Sequence, residues 1–375
     1  MRFVKTEDLK TGMRLARPIY NKNGVLLYER NSKLTNQGIV SVRNFGLLGI
    51  FILEPAEPVP PMTRSDIEFE RFQTMCVFSI REELDAIAQS GRAQKTQMIA
   101  SDIIRNYGHL DARINFLQNL RSKEDYTYKH SLNVAIICAM ITNVMNMMVE
   151  EQMEIVQAAL VHDIGKIMRF EEEVAAGGPL ADMTPEVREI AGHALLETAF
   201  PSRPNIKRIC SQAQKMLASL RTGDDISEIR QVWGARVLAV AETYDKMTAM
   251  KMDEEPASEV EALKYLLNHP EVYNSNVVDA LIKSVNILVP GVSVELNTGE
   301  KALVLQANEQ DILRPTILMF RDNSVIDLSD TDRYDDLEIR DIMRTLDNRH
   351  VMNMDLLKQS GIEVEEEEYV EVPVT

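Results

Sequence analysis

Cysteine is scarce in this sequence, with three residues (Cys76, Cys138 and Cys210) among 375. They are odd in number and far apart, which excludes a disulfide framework and a paired-cysteine zinc motif and fits a reducing cytosol. Aromatic residues make up only 6%, with one tryptophan, whereas methionine reaches 20 residues, so an aliphatic, adaptable core is expected. Positive charge is in deficit: 41 Lys and Arg stand against 58 Asp and Glu, a formal net charge of -17. A field of that sign repels polynucleotides and makes nucleic acid a poor partner. A small anionic substrate is still admitted where metal ions and lysines make a site locally positive. No apolar leader is visible, because Met1 runs into the mixed segment MRFVKTEDLKTG, and a cytoplasmic protein is expected.

One long run lacks charge altogether. Ser131 to Val149 (SLNVAIICAMITNVMNMMV) is nearly the length of a membrane span. Asn133, Asn143 and Asn146 interrupt it, His130 stands directly before it, and charged helical sequence continues on both sides. A helix buried in the middle of a helical domain gives the same pattern, and that is the reading adopted here, with no membrane association.

The hydrophobic period divides the chain. Residues 1–55 read as a small β-rich unit, with strand candidates at Val25 to Tyr28 and Ile50 to Leu53 and a short helix between Lys33 and Phe45. A proline-rich linker covers residues 56–63. From 64 to 286 the pattern is almost wholly helical, with segments at Ile67 to Ala88, Lys95 to Asn106, Ala112 to Leu120, His130 to Met148 and Glu151 to His162. Further segments run from Pro185 to Glu197, Ile226 to Met250, Ala257 to Leu267 and Ser275 to Asn286, with a break over Pro201 to Pro204. Strand patterns then occupy 287–330 as a β-appendage, and 331–375 holds two short helical patterns and an acidic tail. The fold class is therefore mainly α, a helical bundle flanked by a small N-terminal β-rich domain and a C-terminal β-appendage. The amphipathic length of the helices from Ile67 to Leu120 makes a homodimer a reasonable expectation.

With six histidines in the chain, each context can be weighed. His162 and Asp163 end an apolar helix in AALVHDIGKI, where an imidazole nitrogen and a carboxylate oxygen can converge on one cation. Gly165 is expected to allow a sharp exit, and Lys166 offers a point charge for a phosphate. The plainer alternative is a histidine that caps the helix C-terminus and an ordinary loop acid. The surroundings favour the first, because ionisable groups beside apolar helices are costly unless paired or metal-bound. His130 opens the uncharged run, and Glu242 to Asp245 follows ARVLAVA. His109, His269 and His350 read as surface or packing residues, and Trp233 as core.

HSLNVA, then HDIGK, then ARVLAVAETYD resemble the HD superfamily of metal-dependent phosphohydrolases, in particular its HD-GYP branch. The opening DLKTGM and NGVLL, and the later VPGVSVELNTGE, are similar to segments that flank HD-GYP units. The resemblance implies a helical domain that binds iron, manganese or related divalent ions and hydrolyses cyclic di-GMP in bacterial signalling. It implies metal ligation by His130, His162, Asp163, His193 and Glu242, where the family normally has aspartate at the last position. It also gives Asp163 and Lys166 catalytic roles, Lys166 lying beside the substrate phosphate. The sequence departs from the family between His193 and Glu242. RICSQAQKMLASLRTGDDISE carries neither the family's His-His-Glu segment nor its Gly-Tyr-Pro loop, leaving Cys210 or Gln212 as stand-ins. One metal ion is therefore expected and a second is in doubt.

Two functions follow. In the first, the metal lowers the pKa of a water, Asp163 orients the resulting nucleophile and Lys166 stabilises charge on a cyclic dinucleotide or another small phosphoester. In the second, the domain is a degenerate module that senses a nucleotide or docks a signalling protein.

Overall fold

The structure is a computed structural model and describes residues 2–21, 25–44, 49–53, 63–116, 118, 121, 125–168, 185–226, 230–250 and 256–342. The chain divides into two compact units, Cys76–Asn286 and a unit of Met1–Met75 with Ile287–Thr375.

In the second of these, β1 (Arg2–Lys5), β5 (Gly49–Leu53) and β2 (Arg14–Leu15) form a three-stranded antiparallel sheet in the order β1-β5-β2. A hairpin of β3 (Ile19–Tyr20) and β4 (Leu26–Tyr28) and the helix α1 (Asn36–Asn44) complete a small core that includes Leu15, Leu34, Val42 and Ile52. The later segment builds an antiparallel sheet ordered β10-β6-β7-β8-β9 from β6 (Ser293–Leu296), β7 (Lys301–Gln306), β8 (Thr316–Met319), β9 (Val325–Asp327) and β10 (Ile339–Ile342). Gly299, at φ +81°, makes the β6–β7 turn that a side-chain-bearing residue would strain. The sheet extends past the 287–330 range read from the sequence, because β10 returns to pair with β6. A helical turn at Thr331–Tyr334 precedes β10, and the second helical pattern and the acidic tail lie outside the described residues.

The unit Cys76–Asn286 takes in most of α2 (Arg64–Ser90), then α3 (Thr96–Tyr107), α4 (Tyr126–Val144), α5 (Val149–Val161), the single turn α6 (Ile164–Ile167) and α7 (Pro185–Ala199). Its remaining helices are α8 (Pro204–Thr222), α9 (Trp233–Thr248), α10 (Glu259–Leu267) and α11 (Ser275–Ser284). Helix α4 is the axis of this unit, packed against α3, α5, α9 and α11, and every residue from His130 to Thr142 is buried. That burial explains the uncharged run as far as Thr142. Among the described residues no helix is long and apolar enough to cross a membrane.

Three helix expectations need correction. The run starting at His130 does not continue to Met148, because Asn146 adopts a left-handed conformation (φ +52°) that stops α4 and redirects the chain into α5. The described part of Ala112 to Leu120 is not helical. Ile114 forms a parallel bridge with Val285, and this delivers Gln118 and Arg121 inward. The Ile226 to Met250 helix begins only at Trp233. Conversely, α8 occupies a stretch that the sequence reading left without a helix, although Pro204 at its first turn and Gly223 (φ +73°) at its end are ordinary start and stop signals.

Candidate metal centre

His130 lies in the second turn of α4 and is fully buried. Its Nδ1 meets Asp245 Oδ2 at 2.6 Å. A carboxylate can only accept there, so Nδ1 carries the proton and Nε2 presents a lone pair. Asp245 is pinned in turn by a two-pronged Arg121 guanidinium, Nη1 to Oδ2 at 2.6 Å and Nη2 to Oδ1 at 2.5 Å, with Gln118 also donating. Burial would raise the Asp245 pKa, but Arg121 and His130 outweigh it and hold the carboxyl below its usual range. His130 itself is kept neutral, its pKa lowered by burial against the pull of Asp245.

His162 closes α5, and its Nδ1 donates to the Ala159 carbonyl at 2.7 Å. Its Nε2 points the other way and sits 3.2 Å from His130 Nε2. Two lone pairs at that distance repel unless something positive lies between or beside them. The spacing matches two imidazoles sharing one ion, since ligand bonds of about 2.0–2.1 Å at tetrahedral angles separate nitrogens by about 3.3 Å. Glu242, on α9, completes a group of three buried residues whose donor atoms all lie within 4.8 Å of one another. A pair of imidazoles with a carboxylate, each imidazole fixed from behind by an acceptor, is a donor set suited to a first-row divalent ion.

Asp163 follows His162 at the start of α6 and is 4% exposed. Its Oδ2 lies 3.7 Å from His130 Nε2 and its Oδ1 3.7 Å from His162 Nε2, so it borders the cluster. Lys166, one turn later, donates to Asp163 Oδ2 at 2.7 Å. Burial acts to raise the Asp163 pKa, but His162, Lys166 and His130 together hold it far below the ordinary value. Glu242 is likewise lowered against its burial, chiefly by the Lys246 ammonium bonded to it.

His193, on α7, lies outside the cluster of three but lines the same open cavity of about 450 Å³ as His162, Asp163 and Glu242. Burial, then the neighbouring His162, pushes its pKa down to about 4. Its place depends on a close helix contact. A side-chain carbon added at Gly192 would fall 2.6 Å from the Gly165 backbone nitrogen, so α6 and α7 touch through two glycines. Gly165 thus serves contact and not the sharp exit expected of it, since it lies within α6 and its φ is not positive.

Neither stand-in completes the set. The Cys210 thiol borders the cavity but donates to the Ala158 carbonyl, and burial raises its pKa strongly. Gln212 accepts from the Val232 N–H and so fixes the approach to α9. Trp233 is not core. It is 45% exposed, with the Arg236 guanidinium 4.9 Å from its ring centroid.

Residues 127–261 match the family model for the HD domain. This chain carries an HD domain. A relative, a cyclic di-GMP phosphodiesterase of Pseudomonas aeruginosa, is 22% identical over 280 residues that cover 71% of this chain and 66% of that protein, so the match spans just under two thirds of the relative's length. No solved structure matches the chain. The HD domain here is of the HD-GYP-like kind, and its boundaries enclose every site residue described above except Arg121 and Gln118. Those two, with Asp245 and Lys246, are the neighbours of the candidate site that the sequence reading did not single out. Asp245 stood within a quoted motif, and its helical spacing of three from Glu242 was the available signal.

Proposed function

We propose that this chain is a metal-dependent phosphodiesterase that hydrolyses a cyclic dinucleotide, cyclic di-GMP being the first substrate to test. The observation that carries the reading is the pair of facing Nε2 atoms of His130 and His162, 3.2 Å apart, with each ring held at Nδ1 by an acceptor. His130, His162 and Glu242 would hold the ion, manganese or iron, with Asp163 beside it. When bound, such an ion supplies charge that polarises a phosphoryl oxygen and makes water a better nucleophile. Asp163, kept ionised, accepts a proton from or orients the attacking water, and the Lys166 ammonium balances the growing negative charge on the phosphate. His193 faces the same cavity with a neutral ring, able to donate a hydrogen bond to a phosphate oxygen or accept one from a ribose hydroxyl. The cavity is of a size that holds part of a dinucleotide with the rest in solvent. The cyclic di-GMP activity of the Pseudomonas relative supports this substrate class.

Purified protein supplied with manganese or iron is expected to open cyclic di-GMP to the linear dinucleotide, and Asp163→Ala is expected to abolish turnover. Metal-loaded wild type with no turnover on cyclic or linear dinucleotides or on simple phosphomonoesters would sink the reading. One observation favours a second reading, a nucleotide-sensing or protein-docking domain without turnover: α8 brings no histidine to the cavity. Tight cyclic di-GMP binding without hydrolysis would select it.

A further inference from the structure

Lys246 has no task in the reading above, yet it is built into the site. It stands one turn after Glu242, its ammonium bonds Glu242 Oε1, and both side chains line the cavity. Asp163 lines the same cavity, so the ammonium stands beside both carboxylates. Lys166 meanwhile occupies Asp163 Oδ2 at 2.7 Å. A carboxylate that bridges two metal ions gives one oxygen to each, and Asp163 has one of its oxygens engaged by an ammonium. The helix that shares this cavity, α8, contributes Cys210, Gln214, Leu217, Ala218, Leu220 and Arg221, which include neither an imidazole nor a carboxylate. Gln214 is itself turned to Glu189.

We propose that the cavity holds a single divalent cation, and that Lys246 supplies, as a built-in ammonium, the positive charge that a second cation would bring to Glu242 and Asp163. The inference rests on the metal-binding part of the reading above. With Lys166 and Lys246 in place each carboxylate already has a cation. A second divalent ion would have to displace an ammonium from a carboxylate and sit beside two like charges. The first ion is still admitted, because the two ammonium groups sit on Asp163 and Glu242 and not on the facing Nε2 atoms of His130 and His162.

The test is metal stoichiometry and affinity, read independently of turnover. Full-length protein stripped with a chelator is titrated with manganese by calorimetry, and bound metal is counted by elemental analysis after dialysis. Wild type is expected to bind one ion per chain. Lys246→Met is expected to bind manganese at least about tenfold more tightly or to take up a second ion. Lys246→Gln, which keeps a polar head, serves if the methionine variant misfolds, and thermal melts check both. Two ions in wild type, or unchanged or weaker binding in both variants, would overturn the proposal while leaving the hydrolase reading intact. One ion with no hydrolysis of any phosphoester would sink the hydrolase and leave Lys246 in its role. No manganese bound by wild type or by either variant would overturn both.

Discussion

At the scale of single residues, the site is governed by what stands behind each imidazole. Asp245 forces the His130 proton onto Nδ1, so its removal should act on the metal without touching it. Asp245→Asn is expected to weaken manganese affinity about 10- to 100-fold, measured by competition with a chelator of known affinity. Unchanged affinity would show that the tautomer of His130 is fixed in some other way. His193 makes a separate pH prediction for the metal-free protein. Its folded pKa of about 4 lies below the ordinary histidine value of 6.5. The folded state therefore binds the proton less well than the unfolded chain does, and stability is lost as pH falls through the window between 6.5 and 4. In chelator, the melting temperature should drop across that window, and His193→Asn should remove up to about 2–3 kcal/mol of the dependence.

Elements fix the site by how closely they approach. Gly165 on α6 and Gly192 on α7 let the two helices touch, which brings His193 to the cavity beside His162. Gly192→Ala should cost about 1–3 kcal/mol of stability, because backbone must move, and should weaken manganese binding as well. A variant with wild-type melting and affinity would show that α7 shifts freely. The segment around Ile114 makes a second structural demand by carrying Arg121 into contact with α9. Arg121→Leu leaves Asp245 buried with, among the described residues, His130 and Gln118 as its side-chain hydrogen-bond partners. A loss of about 3–5 kcal/mol is expected by urea denaturation.

On the scale of the whole molecule, the net charge of -17 and the local charge of the site pull in opposite directions. Acidic composition discourages polynucleotide binding, while Lys246 at the cavity, Lys166 beside it and a divalent ion once bound would provide the positive field that the proposed phosphoester needs. Metal should also be coupled to folding, since the residues that would hold it come from α4, from the end of α5 and from α9. Manganese at about 100 times its dissociation constant should stabilise the helical unit by about 2.7 kcal/mol, a rise in melting temperature of about 5–10 °C. In a calorimetric scan only the transition of the unit Cys76–Asn286 should move. Equal movement of every transition, or none, would separate the metal from this unit.

Much of the fold was legible in the sequence because it rests on local signals. The uncharged run from Ser131 marked the buried axis, the strand patterns after Pro290 marked the C-terminal sheet, and HDIGK carried the two adjacent polar residues at the end of α5. The sequence by itself determined the helical class of the central domain, its HD resemblance and the residue types offered to a metal. The tertiary structure decided which of them meet. Asp245 and Arg121 are 124 residues apart and are joined only by packing. The path of Ile114 is set by a backbone partner near residue 285, and the place of Lys246 depends on which face of α9 turns to the cavity. Periodicity along a chain reports which side of an element is buried, whereas pairing between distant side chains depends on how those elements are stacked, and that information is not local.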